Sequence, residues 1–218
     1  LLYQVRRNSG EQTSAETNLT SAFAVGTGTR VLNTQKLFTQ GSLITTDNAL
    51  DAAIEGSGFF QVLLPDDRIG YTRNGTFSRN AEGVLTTGSG YVVQPEIQIP
   101  EGASQINISG NGIVSIVADG AVVAEEVGQL TLADFANPRG LQPVGESFSV
   151  ETQASGPPII ANPQEEGFGK LVQGALESSN VNVVQELVDM IETQRAYEVS
   201  SKSISSVDEM LRFLSQNL

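Results

Sequence analysis

The sequence has no cysteine, no histidine and no tryptophan among its 218 residues. Without Cys or His there is no disulfide framework, no Cys/His zinc site, no thiol nucleophile and no His-based triad. The lack of Trp, with only four Tyr, leaves a glycan-binding cleft few rings to stack on a sugar. Basic residues are scarce as well: 12 Lys and Arg stand against 25 Asp and Glu, a net charge of -13. A surface of that sign repels nucleic acid and anionic membranes. No apolar run approaches the ~20 residues of a membrane span, and no signal-peptide pattern is present. The first residue is Leu rather than Met, so a preceding segment is expected.

Motifs that carry chemistry are also missing. Gly26-Thr27-Gly28 lacks the spacing of a phosphate-binding loop and reads as a turn. There is no Gly-x-Ser-x-Gly nucleophile elbow. Asn-x-Ser/Thr at Asn18, Asn74 and Asn107 is expected from chance. The acidic pairs Asp66-Asp67, Glu125-Glu126 and Glu165-Glu166 are sequence neighbours. On a strand such neighbours face opposite ways, which suits them poorly to shared acid/base work. No catalytic residue, cofactor or metal is expected, and the chain reads as something other than an enzyme.

What is present divides into a polar arm, a β-rich middle and a long helix. Residues 1–28 are rich in Ser, Thr, Asn, Gln and Glu. They cannot build a core alone and read as an extended polar arm, flexible or folded into a hairpin against neighbours. An extended connector follows over 29–58. The antiparallel β domain, 59–150, carries turn signals about every ten residues. Asn74-Gly75 predicts a tight hairpin between Arg68–Arg73 and Thr76–Ser78, and Asp119-Gly120 another into Ala121–Val123. Residues 151–176 read as a linker and a return strand. The remainder, 177–218, is assigned to the C-terminal helix, capped from within Glu177–Asn180 by Ser or Asn. The fold class is mainly β with a long C-terminal α-helix.

That helix organises the chain. From Val181 onward there is neither Gly nor Pro, and the run far exceeds the mean helix of about 11–12 residues. Met190, Tyr197, Ile204 and Leu211 fall seven residues apart, and Val183, Val184, Leu187, Ile191, Val207 and Leu214 widen the line. A heptad stripe is how one long helix meets another. No partner helix is visible upstream, so the partner is expected on another chain or in a segment preceding this one.

Three stretches carry a resemblance. Leu171 to Lys202 (LVQGALESSNVNVVQELVDMIETQRAYEVSSK) is similar to the C-terminal signature of the bacterial flagellar basal-body rod and hook family. Asn48 to Val62 (NALDAAIEGSGFFQV) and Tyr71 to Pro95 resemble its central motif, in matching order and spacing. The SSNVN and ETQRAYE wording and the VGQLTLADFANPRGL run lean to the distal-rod members; proximal rod and hook proteins are the rivals within the family. The rival from another class is a secreted β-rich carbohydrate-binding protein or enzyme. The resemblance implies a helical homopolymer that transmits torque from motor to hook. It implies proximal rod, hook, rod-cap and P- and L-ring proteins as partners. It also implies a place in the basal body between periplasm and outer membrane, and export by the flagellar type III system. The family's N-terminal helix, which pairs with the C-terminal one, has no counterpart among these residues. The expected assembly interface is Val184, Leu187, Ile191, Tyr197, Ile204, Leu211 and Leu214 on the helix, with Tyr3 and Phe23 in the arm.

Overall fold

The computed structural model describes residue 34, residues 36–119 and 123–216, and the strand backbones Tyr3–Arg7, Gln12–Ser14, Thr17–Asn18 and Phe23–Gly26. Side chains are described for 34, 36–103, 105–119, 123–210, 212 and 213. The chain divides into two units, Leu1–Leu37 and Phe38–Leu218.

In the first unit the polar arm forms two antiparallel ladders, one nested inside the other in sequence. Tyr3–Arg7 pairs with Phe23–Gly26, Tyr3 opposite Gly26. Gln12–Ser14 pairs with Thr17–Asn18. Pairing of this kind gives the strand backbones hydrogen-bond partners within the arm.

The second unit is a set of small antiparallel sheets followed by one helix. The largest sheet has five strands, in the order Val93–Gln94, Phe60–Leu63, Ile69–Thr72, Phe148–Val150, Gln142–Gly145. Ala103–Ile108, Ile113–Ala118 and Glu125–Gln129 make a three-stranded meander. Ala52–Glu55 pairs with Lys170–Gln173, and Leu43–Thr45 with Ala175–Glu177, so the two flanks of the β region close on each other. The main core joins Ile54, Phe60, Phe77, Leu85, Ile97, Ile99, Leu130 and Leu171, all buried. Burying each side chain of this size is worth about 1.5–3 kcal/mol.

One expected hairpin is corrected here. Asn74-Gly75 does not close a hairpin. The strand Ile69–Thr72 turns away and pairs through Tyr71 with Ser149, while Phe77–Arg79 pairs onward with Leu85–Thr87. Asn74 Oδ1 instead accepts from the Thr76 amide and hydroxyl, at 3.1 and 2.9 Å. The Gly75 carbonyl accepts from the Ala52 amide at 3.0 Å. A Cβ on Gly75 would lie 1.6 Å from the Ala52 oxygen, so this glycine serves a close backbone approach. Among the described residues, the strand after Asp119 is Glu125–Gln129, registered on Ile113–Ala118; of the expected Ala121–Val123, Ala121 and Val122 lie outside the described residues and Val123 sits in a bend.

A second apolar cluster holds Phe59, Tyr71, Ala133, Phe135 and Leu141, with Phe38 and Ile69 against it. Its rings meet edge to face, Tyr71 on Phe135 at 4.7 Å and Phe38 on Phe59 at 5.5 Å. Burial, reinforced by the Glu151 carboxylate, pushes the Tyr71 phenol up to about 12.

The terminal helix runs Val183–Gln216, 34 residues. Its cap is Asn182, whose Oδ1 accepts from the amides of Val184 at 3.1 Å and Gln185 at 3.4 Å. This corrects the cap expected within Glu177–Asn180, because those residues are committed to tying the chain back to the β domain.

Candidate assembly surface

No described side chain from Val183 to Phe213 is buried, or even half-buried. The apolar ones are exposed like the rest: Val184 is 70% exposed, Leu187 and Ile191 49% each, Ile204 64% and Tyr197 76%. Leu211 and Leu214 lie on the same helix, but their side chains are outside those described. Tyr3 and Phe23 sit on the paired strands of the arm, again with side chains outside those described.

A helix of this length gains most of its stability from packing an apolar face. Here the β domain supplies no such packing to the described side chains. The stripe has a handedness: a strict seven-residue repeat drifts about 20° per heptad on a straight helix, so keeping it in register calls for a left-handed supercoil. The repeat is densest at the two ends, Val183 to Ile191 and Ile204 to Leu214, with Tyr197 bridging the polar middle. Thr193, Ser200, Ser203 and Ser205 donate their hydroxyls to carbonyls one turn back, which removes polar demand from that middle stretch.

The root of the helix is the opposite of its shaft. Glu177 Oε2 accepts from Arg73 Nε at 2.8 Å, and Glu177 Oε1 accepts from the Gly41 amide at 2.9 Å. Arg73 Nη1 also donates to the Gly56 and Gly58 carbonyls, both at 3.1 Å. The Ser178 amide donates to the Ser42 carbonyl at 2.8 Å. Asn180 Nδ2 reaches the Thr39 carbonyl and hydroxyl at 2.8 and 2.9 Å. Sequence reading missed Arg73 and Glu177. The available signal was a single cation directly after a buried strand, in a chain poor in cations.

Nothing comparable is organised for chemistry. The acidic pairs are exposed, and Arg68 holds the Asp66 carboxyl below the usual carboxylate range by a side-chain hydrogen bond. Among the described residues there is no group of three or more His, Cys, Asp or Glu placed to hold a metal ion. Among them, too, no helix is long and apolar enough to cross a membrane.

Comparison with known proteins gives the same picture from outside. The family profile "Flagellar hook protein FlgE/F/G D1 domain" matches residues 53–116. The profile "Flagellar basal body rod FlgEFG protein C-terminal" matches residues 172–217, the return strand and the helix. The flagellar basal-body rod protein FlgG of Buchnera aphidicola from Acyrthosiphon pisum is 50% identical over 216 residues, which is 99% of this chain and 83% of that protein. FlgG of Caulobacter vibrioides is 43% identical over 217 residues, with the same coverage of 99% and 83%. The rod protein FlgF of Escherichia coli is 35% identical over 178 residues, 78% of this chain and 69% of its own. Near-complete coverage by FlgG relatives, together with both profiles, places the chain in the bacterial flagellar basal-body rod and hook family, as a structural subunit of the distal rod.

Proposed function

We propose that this chain polymerises into a rigid helical tube through the stripe on its terminal helix, and that the tube transmits torque from motor to hook. The observation that carries this reading is that every described large apolar side chain of the helix is exposed and none is buried against the β domain. An amphipathic face left open by its own domain is stabilised when neighbouring copies cover it, at ~25 cal/mol per Å² of apolar area. Contacts of modest strength, repeated head to tail without closing into a ring, make a long and stiff shaft. The interface residues are Val184, Leu187, Ile191, Tyr197, Ile204, Leu211 and Leu214. The chain acts by assembly and not by catalysis. Its other partners in this reading are the proximal rod and hook proteins at its two ends, the rod cap, and the P- and L-ring proteins around it. The tube spans the periplasm to the outer membrane, and the chain is exported by the flagellar type III route. The acidic excess suits a shaft that must turn without sticking.

The test is Leu187→Asp and Ile191→Asp, each placing a charge in the stripe. Both variants are expected to keep the β-domain unfolding transition and to lose tubes in electron micrographs. Normal tube yield from the double variant refutes the helix-layer assignment. In the same reading the arm that contains Tyr3 and Phe23 runs between subunits and stiffens the polymer. Deleting Gln4 to Ala24 is expected to give tubes of lower bending stiffness, and an unchanged persistence length counts against that role.

A further inference from the structure

The root of the helix is built more carefully than a connector requires. Arg73 and Glu177 stand 104 residues apart in sequence, and their side chains are only 18% and 11% exposed. Both Glu177 oxygens are engaged, one by Arg73 and one by the Gly41 amide. The guanidinium is shared between Glu177 and three carbonyls, those of Ile54, Gly56 and Gly58. Gly56 and Gly58 hold φ of +120° and +128°, backbone that side-chain-bearing residues rarely adopt. Gly41 is equally constrained, since a Cβ there would fall 1.9 Å from the Ser178 carbonyl oxygen. Three glycines thus shape a fitted seat for one ion pair. Beyond it, Asn180 ties to Thr39 and Asn182 starts the helix. No described helix side chain is buried against the β domain, so this seat is where the helix direction is decided.

We propose that Arg73 and Glu177 are positioning residues for assembly: they fix the angle at which each subunit presents its helix stripe to the next copy. This rests on the assembly reading above. A planar five-donor fork matches one carboxylate plus several carbonyls, and a lysine ammonium does not reproduce it. The pair acts through the helix and does not itself touch the neighbouring copy. Its loss therefore loosens direction without removing apolar contact area.

The absence of cysteine makes a direct measurement possible. Spin labels at Ser89→Cys, in an exposed turn of the β domain, and Ser201→Cys, on the exposed helix, report the distance between the two elements in dilute monomer. The parent is expected to give a narrow distance distribution. Glu177→Gln and Arg73→Lys are expected to broaden it by about twofold or more, since each removes the charge-assisted fork geometry. Their β-domain thermal transition and helix content should stay close to the parent's. Asn180→Ala, on an exposed residue, is a second variant that endangers the fold less and should broaden the distribution by a smaller amount. An unbroadened distribution in Glu177→Gln and Asn180→Ala overturns the proposal, whatever the tubes do. Leu187→Asp separates this from the assembly reading: it should abolish tubes and leave the distribution narrow. Tubes that persist in Leu187→Asp, beside broadening in Glu177→Gln, would sink the helix-layer assignment and leave the seat standing.

Discussion

Phe59 and Phe60 share a peptide bond and bury their rings in different cores. Phe60 meets Phe77 edge to face at 5.0 Å in the main core, while Phe59 meets Phe38 and Phe135 in the second cluster. Successive strand side chains alternate faces, so one dipeptide stitches the two clusters together. Phe60→Ala should cost about 3–5 kcal/mol, the usual range for a large buried aromatic. Phe38→Ala should cost less, because Phe38 is only partly buried. Urea unfolding followed by tyrosine fluorescence checks the order, and equal costs would show that the two clusters do not differ as described.

The glycines of the β domain give a sharper test. Gly75→Ala pushes a methyl group onto the Ala52 carbonyl, 1.6 Å from an ideal Cβ. Backbone must move, so the loss should exceed about 1 kcal/mol. Gly88→Ala meets nothing within 4 Å and has no positive φ. There the lower entropy of the unfolded chain should leave stability unchanged or raised by about 0.4–1 kcal/mol. Denaturant midpoints for the pair decide it; a harmless Gly75→Ala contradicts the close approach.

These two glycines also show what was legible beforehand. The strands around Phe60, Ile69, Phe77 and Leu85 could be read from alternation and turn residues, because those signals are local. The pairing of Ile69–Thr72 back onto Phe60–Leu63 was legible too, from the Pro65-Asp66-Asp67 turn; its second neighbour was not, because Ser149 lies far away in sequence and the Asn-Gly dipeptide looks alike whether it closes a hairpin or lets two backbones touch. The helix stripe was legible from spacing alone, and its exposure followed from the lack of a partner helix. The Arg73–Glu177 seat was not legible, since a lone cation after a strand marks Arg73 but names no partner 104 residues away. Glu177 looked like part of a cap for a helix that in fact starts at Val183, behind the Asn182 cap.

Tyr71 makes the β domain sensitive to alkali. Its folded-state value is pushed up to about 12, from the ordinary 10.0, by burial and then by Glu151. The sign follows from which state loses the proton first. Above about pH 10 the unfolded chain ionises its phenol while the folded one keeps it protonated, so folding loses ground. The contribution is fully present below about pH 10 and gone above about pH 12, a change of about 3 kcal/mol at 1.36 kcal/mol per unit. Thermal midpoints should fall across that window in the parent and fall less in Tyr71→Phe. Ultraviolet titration should show the phenolate step near pH 12 disappearing in Tyr71→Phe. Glu151→Gln should move that step to lower pH, and an unmoved step would assign the shift to burial alone.

Two asparagines near the start of the helix should respond in opposite ways. Asn182 accepts from the Val184 and Gln185 amides, two donors that otherwise have no partner within the helix. Asn180 lies three residues before the helix and donates to Thr39. In the monomer the helix has no described packing to mask the loss of its cap. Asn182→Ala should therefore cost about 1 kcal/mol of helix stability and fray the first turns. Circular dichroism at 222 nm should fall for Asn182→Ala and stay constant for Asn180→Ala. Within the polymer the order changes. Neighbouring helices can hold a frayed turn in place, so Asn182→Ala should raise the concentration needed for tubes and leave the finished tubes straight. Asn180→Ala weakens the seat, so its tubes should form at a concentration near the parent's and vary more in twist. If Asn180→Ala lowered helix content while Asn182→Ala did not, the helix would start earlier than Val183 and the division between seat and shaft would be lost.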